Sequence, residues 1–212
     1  MKKDMNLQDT SSSYKPNMIQ NLMSKERCQD LIRFHKSHKH IEGVGDGSDY
    51  TGIRFMHIHT PHIRNWIAEV VVNLVGEVRK TSDQIVFPEM IALNDWPIGG
   101  IQEPHLDTYS NQEIKHESSP DKPSREWTCI LYLNDNYNGG RTWIPGGETY
   151  EPETGSGLLF QGIYIPHGVS KVRRHPRHTL SYWFTTDVDR CMPIYPVKDL
   201  NLDEDSYRLQ EK

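Results

Sequence analysis

Two histidines and one aspartate stand at spacings that suit metal binding. His105 and Asp107 are separated by a single residue, and side chains two positions apart on an extended strand point to the same side. His167 lies sixty residues further along the chain and would bring a second imidazole from another strand. Two imidazoles and one carboxylate form a face that suits non-haem Fe(II) and leaves the other coordination positions open. The sequence therefore predicts that His105, Asp107 and His167 are metal ligands and form the catalytic centre.

A basic residue ten positions after the second histidine extends this pattern. The guanidinium fork of Arg177 can hold a carboxylate through two hydrogen bonds, which predicts a dicarboxylic cosubstrate. The His-x-Asp pair alone is weak, because eleven histidines make chance pairs common and His57 and His59 have ligand-like spacing too. For the remaining histidines we favour exposed positions or satisfied hydrogen bonds.

Length and composition set the frame for this site. The 212 residues fit one domain with a real core, so we expect a single domain over residues 1–212 with a surface tail at 195–212. The net charge of −5 argues against a nucleic-acid-binding surface. Three cysteines without CxxC spacing are typical of a reduced, intracellular protein. We see no signal peptide and no membrane span, which predicts a cytoplasmic protein.

Two helices are expected in the first eighty residues, after a loosely docked start. The first begins with Ser24 as N-cap. The second begins with Thr60 as a capping residue and Pro61 in its first turn. The second carries an unbroken apolar stripe at helical spacing, formed by Ile63, Trp66, Ile67, Val70, Val71, Leu74, Val75 and Val78. This helix is expected to back a sheet and to take no part in chemistry.

Short strands separated by glycine and proline turns follow from residue 84 onward. We predict them at 85–94, 103–109, 127–134, 142–144, 148–151, 157–161, 164–166, 169–173 and 178–185, after an earlier strand at 53–58. Helices first and many strands afterwards predict a mainly β fold, with helices at about 20–80 packed on a jelly-roll core at about 84–187. The polar segment between residues 109 and 127 has the length of a lid or binding loop.

The ordered set of motifs resembles a known family. Residues 99–107 end in His-x-Asp, 132–135 read Tyr-Leu-Asn-Asp, 139–142 read Gly-Gly-Arg-Thr, and 155–160 run from glycine to phenylalanine. His167 follows, with Arg177 ten residues on. Together these are similar to the Fe(II)/2-oxoglutarate-dependent dioxygenases, and most of all to their prolyl 4-hydroxylase branch. The resemblance covers about half of the chain and implies a double-stranded β-helix, cupin-like core.

The resemblance also implies roles for individual residues. His105, Asp107 and His167 would bind Fe(II), and Arg177 would pair with the distal carboxylate of 2-oxoglutarate, with O2 as the second cosubstrate and ascorbate as a possible reductant. Around that cosubstrate we expect Thr179, Tyr132 and Trp96. Trp183 matches a family position near the substrate channel, and for Arg141, Trp143 and Trp127 a substrate groove and a surface or packing role both stay open.

Two departures from the family concern the substrate more than the reaction. Trp96 stands where the prolyl branch has tyrosine, and Arg177 stands where many members have lysine. The first hypothesis is hydroxylation of a prolyl residue in a protein or peptide, with release of succinate and CO2. The second keeps this chemistry but acts on a free amino acid, another side chain or a small metabolite. The third is a jelly-roll binding module without turnover.

Overall fold

The computed structural model describes residues 14–41, 49–107, 125–144 and 148–194. Three predicted segments lie wholly or mostly outside these ranges. They are the candidate lid between residues 109 and 127, of which only 125 and 126 are described, the tail at 195–212, and residues 42–48 of the glycine-rich segment at 42–52. These described ranges contain two α-helices, α1 (Lys25–Ser37) and α2 (Pro61–Ser82). None of the described helices is long and apolar enough to cross a membrane.

The helix starts and ends follow the expected local chemistry in most respects. The Ser24 side chain accepts a hydrogen bond from the backbone N–H of Arg27, as predicted for an N-cap. Thr60 occupies the N-cap position of α2 but forms no capping hydrogen bond with its side chain. Pro61 lies in the first turn of α2, where its missing N–H leaves no hydrogen-bond donor unsatisfied. The helix ends at Asp83, which adopts the left-handed conformation with φ 56°.

Among the residues that the structure describes there are twelve strands. They are β1 (Asn17–Ile19), β2 (Thr51–Arg54), β3 (Phe87–Trp96), β4 (Gln102–His105), β5 (Trp127–Tyr132), β6 (Asn138–Gly139), β7 (Thr142–Ile144), β8 (Glu148–Tyr150), β9 (Gly157–Phe160), β10 (His167–Val169), β11 (Val172–Arg173) and β12 (Arg177–Thr185). A six-stranded sheet has the order β1-β9-β5-β12-β3-β2, and a four-stranded sheet has the order β4-β10-β7-β8. The strands β6 and β11 pair separately.

The architecture is the predicted jelly roll with helices outside it. Both helices pack on one face of the six-stranded sheet and share with it a large apolar core that includes Leu31, Leu74 and Leu180. The opposite face of the same sheet turns toward the four-stranded sheet, where Tyr132, Phe160 and Ile165 form a second cluster. Side-chain alternation sorts each strand between these two faces. The prediction that the whole chain forms one domain stays a prediction.

Several strand predictions were wrong in detail. The region at 164–166 forms a turn in which the N–H groups of Tyr164 and Ile165 both bond to the carbonyl of Gln161, and the strand begins at His167. Residues 53–58 are divided between the end of β2 and a 3-10 turn at Phe55–His57. The start of the chain was expected to be loosely docked, yet Asn17–Ile19 pairs with β9 at the edge of the large sheet.

Candidate active site

Cross-strand pairing brings the two separated histidines together. His105, the last residue of β4, and His167, the first residue of β10, are direct partners in the antiparallel ladder. Their ring centroids are 4.4 Å apart. Asp107 follows two residues after His105, and its backbone N–H bonds to the carbonyl of Gly162 at 3.1 Å. The ladder therefore explains how residues sixty positions apart in the sequence meet at one point.

The three side chains form a compact cluster of metal-ligand atoms. The Nε2 atom of His105 lies 3.7 Å from Asp107 Oδ1, and the Nε2 atom of His167 lies 3.6 Å from Asp107 Oδ2. The candidate ligand atoms of the three residues all fall within 4.8 Å of one another. Among the residues that the structure describes, no other group of histidine, cysteine and acidic side chains meets this criterion. The predicted set is thus brought together.

Backbone contacts orient both imidazoles for metal binding. The Nδ1 atom of His105 lies 3.2 Å from the carbonyl oxygen of Glu103, and that of His167 lies 3.0 Å from the carbonyl oxygen of Ile165. A carbonyl can only accept, so each Nδ1 carries a proton, and Nε2 is the ring atom on each histidine that faces Asp107 and is available to a metal. Histidine ligands of protein metals are commonly oriented in this way. Two neutral imidazoles and one carboxylate fit non-haem Fe(II).

Mutual electrostatics keep Asp107 ionised although it is buried. Burial alone would raise its pKa, but the neighbouring His167 and His105, together with the Thr128 hydroxyl, hold the pKa of Asp107 well below its usual range. Burial lowers the pKa of His167. For His105 burial acts in the same direction, but the bond to Asp107 outweighs it and the pKa of His105 is raised. The cluster is therefore polarised around one fixed negative charge.

Arg177 lies in the same cavity as the three candidate ligands. It is only 1% exposed, and its Nη2 atom donates to Thr142 Oγ1 at 3.3 Å. Its guanidinium carbon lies 5.2 Å from the ring centre of Trp96 and 5.7 Å from that of Tyr132. No carboxylate among the described residues forms an ion pair with it, and its Nε has no hydrogen-bond partner there. A buried guanidinium without an ion-pair partner favours the binding of an anion, because a buried charge is costly unless it is paired.

The residues expected around the cosubstrate lie close to Arg177. Trp96 is its direct cross-strand partner, lines the cavity and has a buried indole N–H without a described hydrogen-bond partner. Tyr132 donates its hydroxyl to Thr142 Oγ1 at 2.9 Å, which is also the acceptor for Arg177. Thr179 lies two residues after Arg177, and its buried hydroxyl has no described partner. Three buried donors without a described hydrogen-bond partner, Arg177 Nε, Trp96 Nε1 and Thr179 Oγ1, therefore lie in this part of the protein.

The residues assigned to the substrate lie in different places. Trp183 lines the cavity, and the Arg125 guanidinium lies 5.2 Å from its ring centre. Arg141 instead forms an exposed ion pair with Glu151 at 2.7 Å and lines a separate surface cavity. Trp143, on β7, is not among the residues that line the ligand cavity.

Trp127 belongs to the core on the helix side of the sheet, because alternation turns it away from the cavity. Its indole N–H donates to Gln84 Oε1 at 2.6 Å.

Some cavity residues were not singled out from the sequence. These are Tyr50, Asn94, Gln102, Thr128, Val169 and Ser181. Tyr50 stacks on Trp96 with ring centroids 4.3 Å apart, and Asn94 donates to Ser181 Oγ at 3.0 Å. Alternation could have indicated Thr128, which lies four residues before Tyr132 on the same strand. Tyr50 directly precedes β2, which is distant in sequence from the ligands, and gave no comparable signal.

A jelly roll whose inner wall presents a two-histidine, one-carboxylate face is an arrangement that suits a mononuclear metal site. Comparison with protein families gives a similarity of the same kind. The model of the 2OG-Fe(II) oxygenase superfamily matches residues 92–185, a range that contains all three candidate ligands and Arg177. That segment of the chain is therefore similar to this superfamily. The superfamily takes Fe(II) and 2-oxoglutarate, and the residues present in this cavity fit both.

Curated relatives and solved structures agree with this family. Human and rat prolyl 3-hydroxylase 1 are each 33% identical to the chain over 70 residues. That match covers 30% of the chain and 10% of the length of each relative, so the chain spans only a small part of these proteins.

A Pseudomonas putida prolyl-4-hydroxylase superposes with TM-score 0.62 at 15% identity, covering 82% of this chain and 93% of that one. The viral collagen prolyl hydroxylase of Paramecium bursaria Chlorella virus-1, in its 2OG complex, gives 0.60 at 15% identity, with 81% and 96% covered. A Trichoplax adhaerens prolyl hydroxylase bound to a hypoxia-inducible-factor peptide gives 0.62 at 14% identity, with 89% and 87% covered. These likenesses establish the shared fold.

Proposed function

We propose that this chain hydroxylates an aliphatic C–H bond of a prolyl residue in a protein or peptide, with release of succinate and CO2. The observation that carries the proposal is a single cavity lined both by His105, Asp107 and His167 and by the buried, anion-free Arg177. One part of this cavity suits a metal ion, and the other suits a carboxylate. A metal-chelating dicarboxylate such as 2-oxoglutarate requires both.

In this proposal the three clustered side chains hold the metal. Fe(II), when bound with 2-oxoglutarate and O2, supplies oxidative decarboxylation coupled to C–H hydroxylation. His105 and His167 offer their Nε2 atoms, because each Nδ1 faces a backbone carbonyl, and Asp107 offers a carboxylate kept ionised by its neighbours. The protein also excludes water, since His167 and Asp107 are buried beside the apolar side chains of Ile130 and Val169.

The other end of the cavity binds the cosubstrate's distal carboxylate. Arg177 supplies charge-assisted hydrogen bonds, which are stronger than neutral ones. Thr179 and the Trp96 indole N–H add unpaired neutral donors. Thr142 accepts from both Arg177 and Tyr132 and so fixes their relative positions. Trp96 here takes the place of a tyrosine hydroxyl by offering an N–H donor.

The substrate assignment is supported by the entrance of the cavity and by the relatives. Trp183 presents an aromatic surface in the cavity, with Arg125 against its ring. Aromatic rings are favourable contacts for the pyrrolidine of a prolyl residue. The family relatives named above are prolyl hydroxylases, and one of the similar structures holds a peptide. A peptide substrate is therefore favoured over a free amino acid or a small metabolite.

Succinate formation tests the proposal directly. Purified protein with Fe(II), 2-oxoglutarate and ascorbate should form succinate faster when proline-containing peptides are added, and mass spectrometry should show peptides heavier by one oxygen atom. His105→Ala, Asp107→Ala and His167→Ala should each abolish this turnover because each removes a ligand. His57→Ala is a matched control, since His57 is exposed and lies outside the cavity. Omitting ascorbate shows whether this reductant is needed.

The same experiment separates the alternatives. Turnover that responds to free amino acids or small metabolites but not to peptides would overturn the prolyl-peptide substrate while keeping the chemistry. Absence of succinate under every condition, in protein that binds metal, would indicate a binding module without turnover. Equal activity in the His105→Ala variant and the wild type would contradict the proposed metal site.

A further inference from the structure

Asp107 has a hydrogen-bond donor of its own inside the core. The hydroxyl Oγ1 of Thr128 donates to Asp107 Oδ2 at 2.5 Å. Thr128 lies on β5, is 1% exposed and lines the same cavity as the candidate ligands. Because β5 is paired on both sides, with β9 and with β12, this hydroxyl is held by the rigid centre of the large sheet. Asp107 itself lies beyond the end of β4 and has less regular support.

A glycine allows the carboxylate and the hydroxyl to meet. A Cβ atom placed on Gly162 would lie 2.3 Å from Asp107 Oδ2 and 2.4 Å from Thr128 Oγ1, distances at which neither atom could stay in place. The carbonyl of Gly162 also accepts the backbone N–H of Asp107 at 3.1 Å. Gly162 therefore holds the Asp107 backbone while leaving room for the Thr128 contact.

We infer that Thr128 is a positioning residue that engages Oδ2 of Asp107 and fixes the orientation of this carboxylate for metal binding, with Gly162 providing the space. The inference rests on the proposed metal site and deepens it. Oδ1 lies 3.7 Å from Nε2 of His105 and Oδ2 lies 3.6 Å from Nε2 of His167, so a rotation of the carboxylate would change which oxygen faces each imidazole. Hydrogen bonds from neighbouring residues commonly orient carboxylates that bind metals.

The test uses metal binding and not turnover. Titration calorimetry of the metal-free protein with Co(II) would compare the wild type with Thr128→Val, which removes the hydroxyl while preserving shape and strand preference. Loss of an outer contact of this kind lowers metal affinity by about 10- to 100-fold, and we expect that range. The visible absorption of the Co(II) form, which changes with the arrangement of the metal's ligands, should differ between the two proteins. Thr128→Ser keeps the hydroxyl and should restore both affinity and spectrum.

Gly162→Ala provides an independent test, because the added methyl group would displace the carboxylate. It should weaken Co(II) binding at least as much as Thr128→Val does. Gly76→Ala is the matched control, since a Cβ at Gly76 meets no atom within 4 Å, and its Co(II) affinity should equal that of the wild type. Circular dichroism and thermal unfolding would show that each variant is folded.

The outcomes separate this inference from the proposed function. Unchanged affinity and spectrum in a folded Thr128→Val protein would overturn the positioning role of Thr128 and leave the metal site intact. Failure of Thr128→Ser to restore binding would overturn it as well, because the hydroxyl would then not be the active group. Failure of the wild type to bind Co(II) would overturn the metal site itself, and the inference with it.

Discussion

Arg177 is a charged side chain enclosed by aromatic rings and neutral donors. Its cross-strand partner is Trp96, and the Cδ of Arg177 packs so closely that a Cβ on Gly140 would lie 3.2 Å from it. Gly140 has φ +58°, so the turn before β7 needs glycine both for its backbone and for this close approach. The surroundings thus fix the direction of the guanidinium in advance, which reduces the entropy lost when a carboxylate binds.

Arg177→Ala should impair cosubstrate binding strongly. Truncating one partner of a buried, hydrogen-bonded charge pair costs about 2–5 kcal/mol, which corresponds to a rise of at least roughly 30-fold in the KM for 2-oxoglutarate. Arg177→Lys should give a smaller rise, because it keeps the charge and loses the fork. The measurement is succinate formation at varied 2-oxoglutarate. Arg173→Ala, an exposed position close in sequence, is the control, and equal KM values in all proteins would place the carboxylate elsewhere.

At the scale of elements, the side chains of β12 alternate between the cavity and the apolar core under the helices. Arg177, Thr179, Ser181 and Trp183 face the cavity side, whereas Leu180, Tyr182 and Phe184 join the core under the helices. His178 also faces the helix side and is buried. Its ring lies 6.5 Å from that of His35 in α1, and its Nδ1 lies 3.5 Å from Asp95 Oδ1. Alternation predicted an inward Arg177, but the cover that α1 provides for His178 could not be predicted from one strand.

His178 should make the stability of the fold depend on pH. Burial, helped by the positive charges of Lys36 and Lys39, lowers the pKa of His178 to about 4. In the unfolded chain His178 has an ordinary histidine pKa of about 6.5. Below that pH the unfolded chain therefore binds a proton at His178, whereas the folded protein does so only near pH 4. The free energy of unfolding should therefore be constant above pH 6.5 and fall between pH 6.5 and 4 by on the order of 3 kcal/mol.

Urea unfolding at several pH values between 7.5 and 4, in steps of roughly half a unit, measures this dependence. His178→Gln should flatten most of the decrease in that window, because it removes the titrating group. His175→Gln, an exposed neighbour beyond the start of β12, should keep the wild-type dependence. An identical pH profile for His178→Gln and the wild type would show that other groups cause the loss of stability.

Local periodicity explains which elements could be predicted from the sequence. The stripe of α2, the cap at Ser24 and the alternation in β5 and β12 are properties of neighbouring residues, and the structure confirms them. The edge strand Asn17–Ile19 has three residues and no pattern of its own, so it depends on the partner strand β9. The strand was predicted to begin at residue 164 but begins at His167. The turn that precedes it is held by backbone hydrogen bonds to the carbonyl of Gln161, and the hydropathy pattern of the sequence does not report such bonds.

At the scale of the whole molecule, the jelly roll converts distances in sequence into short distances in space. The ladder between β4 and β10 joins His105 to His167, and the ladder between β3 and β12 joins Trp96 to Arg177. Motif order in the sequence was enough to select the candidate ligands and Arg177, which the structure brings to one cavity. The Thr128–Asp107 contact and the space at Gly162 were not, because they depend on packing between segments that have no shared spacing. The family resemblance identified residues, and the structure adds the contacts that orient them.

If one cavity binds both a metal ion and 2-oxoglutarate, each of the two should raise the unfolding temperature of the protein, the metal first and the cosubstrate after it. A ligand that binds only the folded state stabilises it by about 2.7 kcal/mol at one hundred times its Kd. For a chain of this length that is a rise of roughly 5–10 °C in Tm. Mn(II) alone should raise the Tm of the metal-free protein, because the donor set is already assembled. Added 2-oxoglutarate should raise it further, and more with metal than without, since the cosubstrate binds through both ends.

Two variants divide this response between the parts of the cavity. Asp107→Ala should lose the shift caused by Mn(II) and most of the shift caused by 2-oxoglutarate. Arg177→Ala should keep the Mn(II) shift and lose the additional rise from 2-oxoglutarate, because its metal-binding face is unchanged. EDTA should return the wild type to its metal-free Tm. If 2-oxoglutarate stabilised the Arg177→Ala protein as much as the wild type, the carboxylate would bind outside the pocket around Arg177, and metal and cosubstrate would not share one cavity.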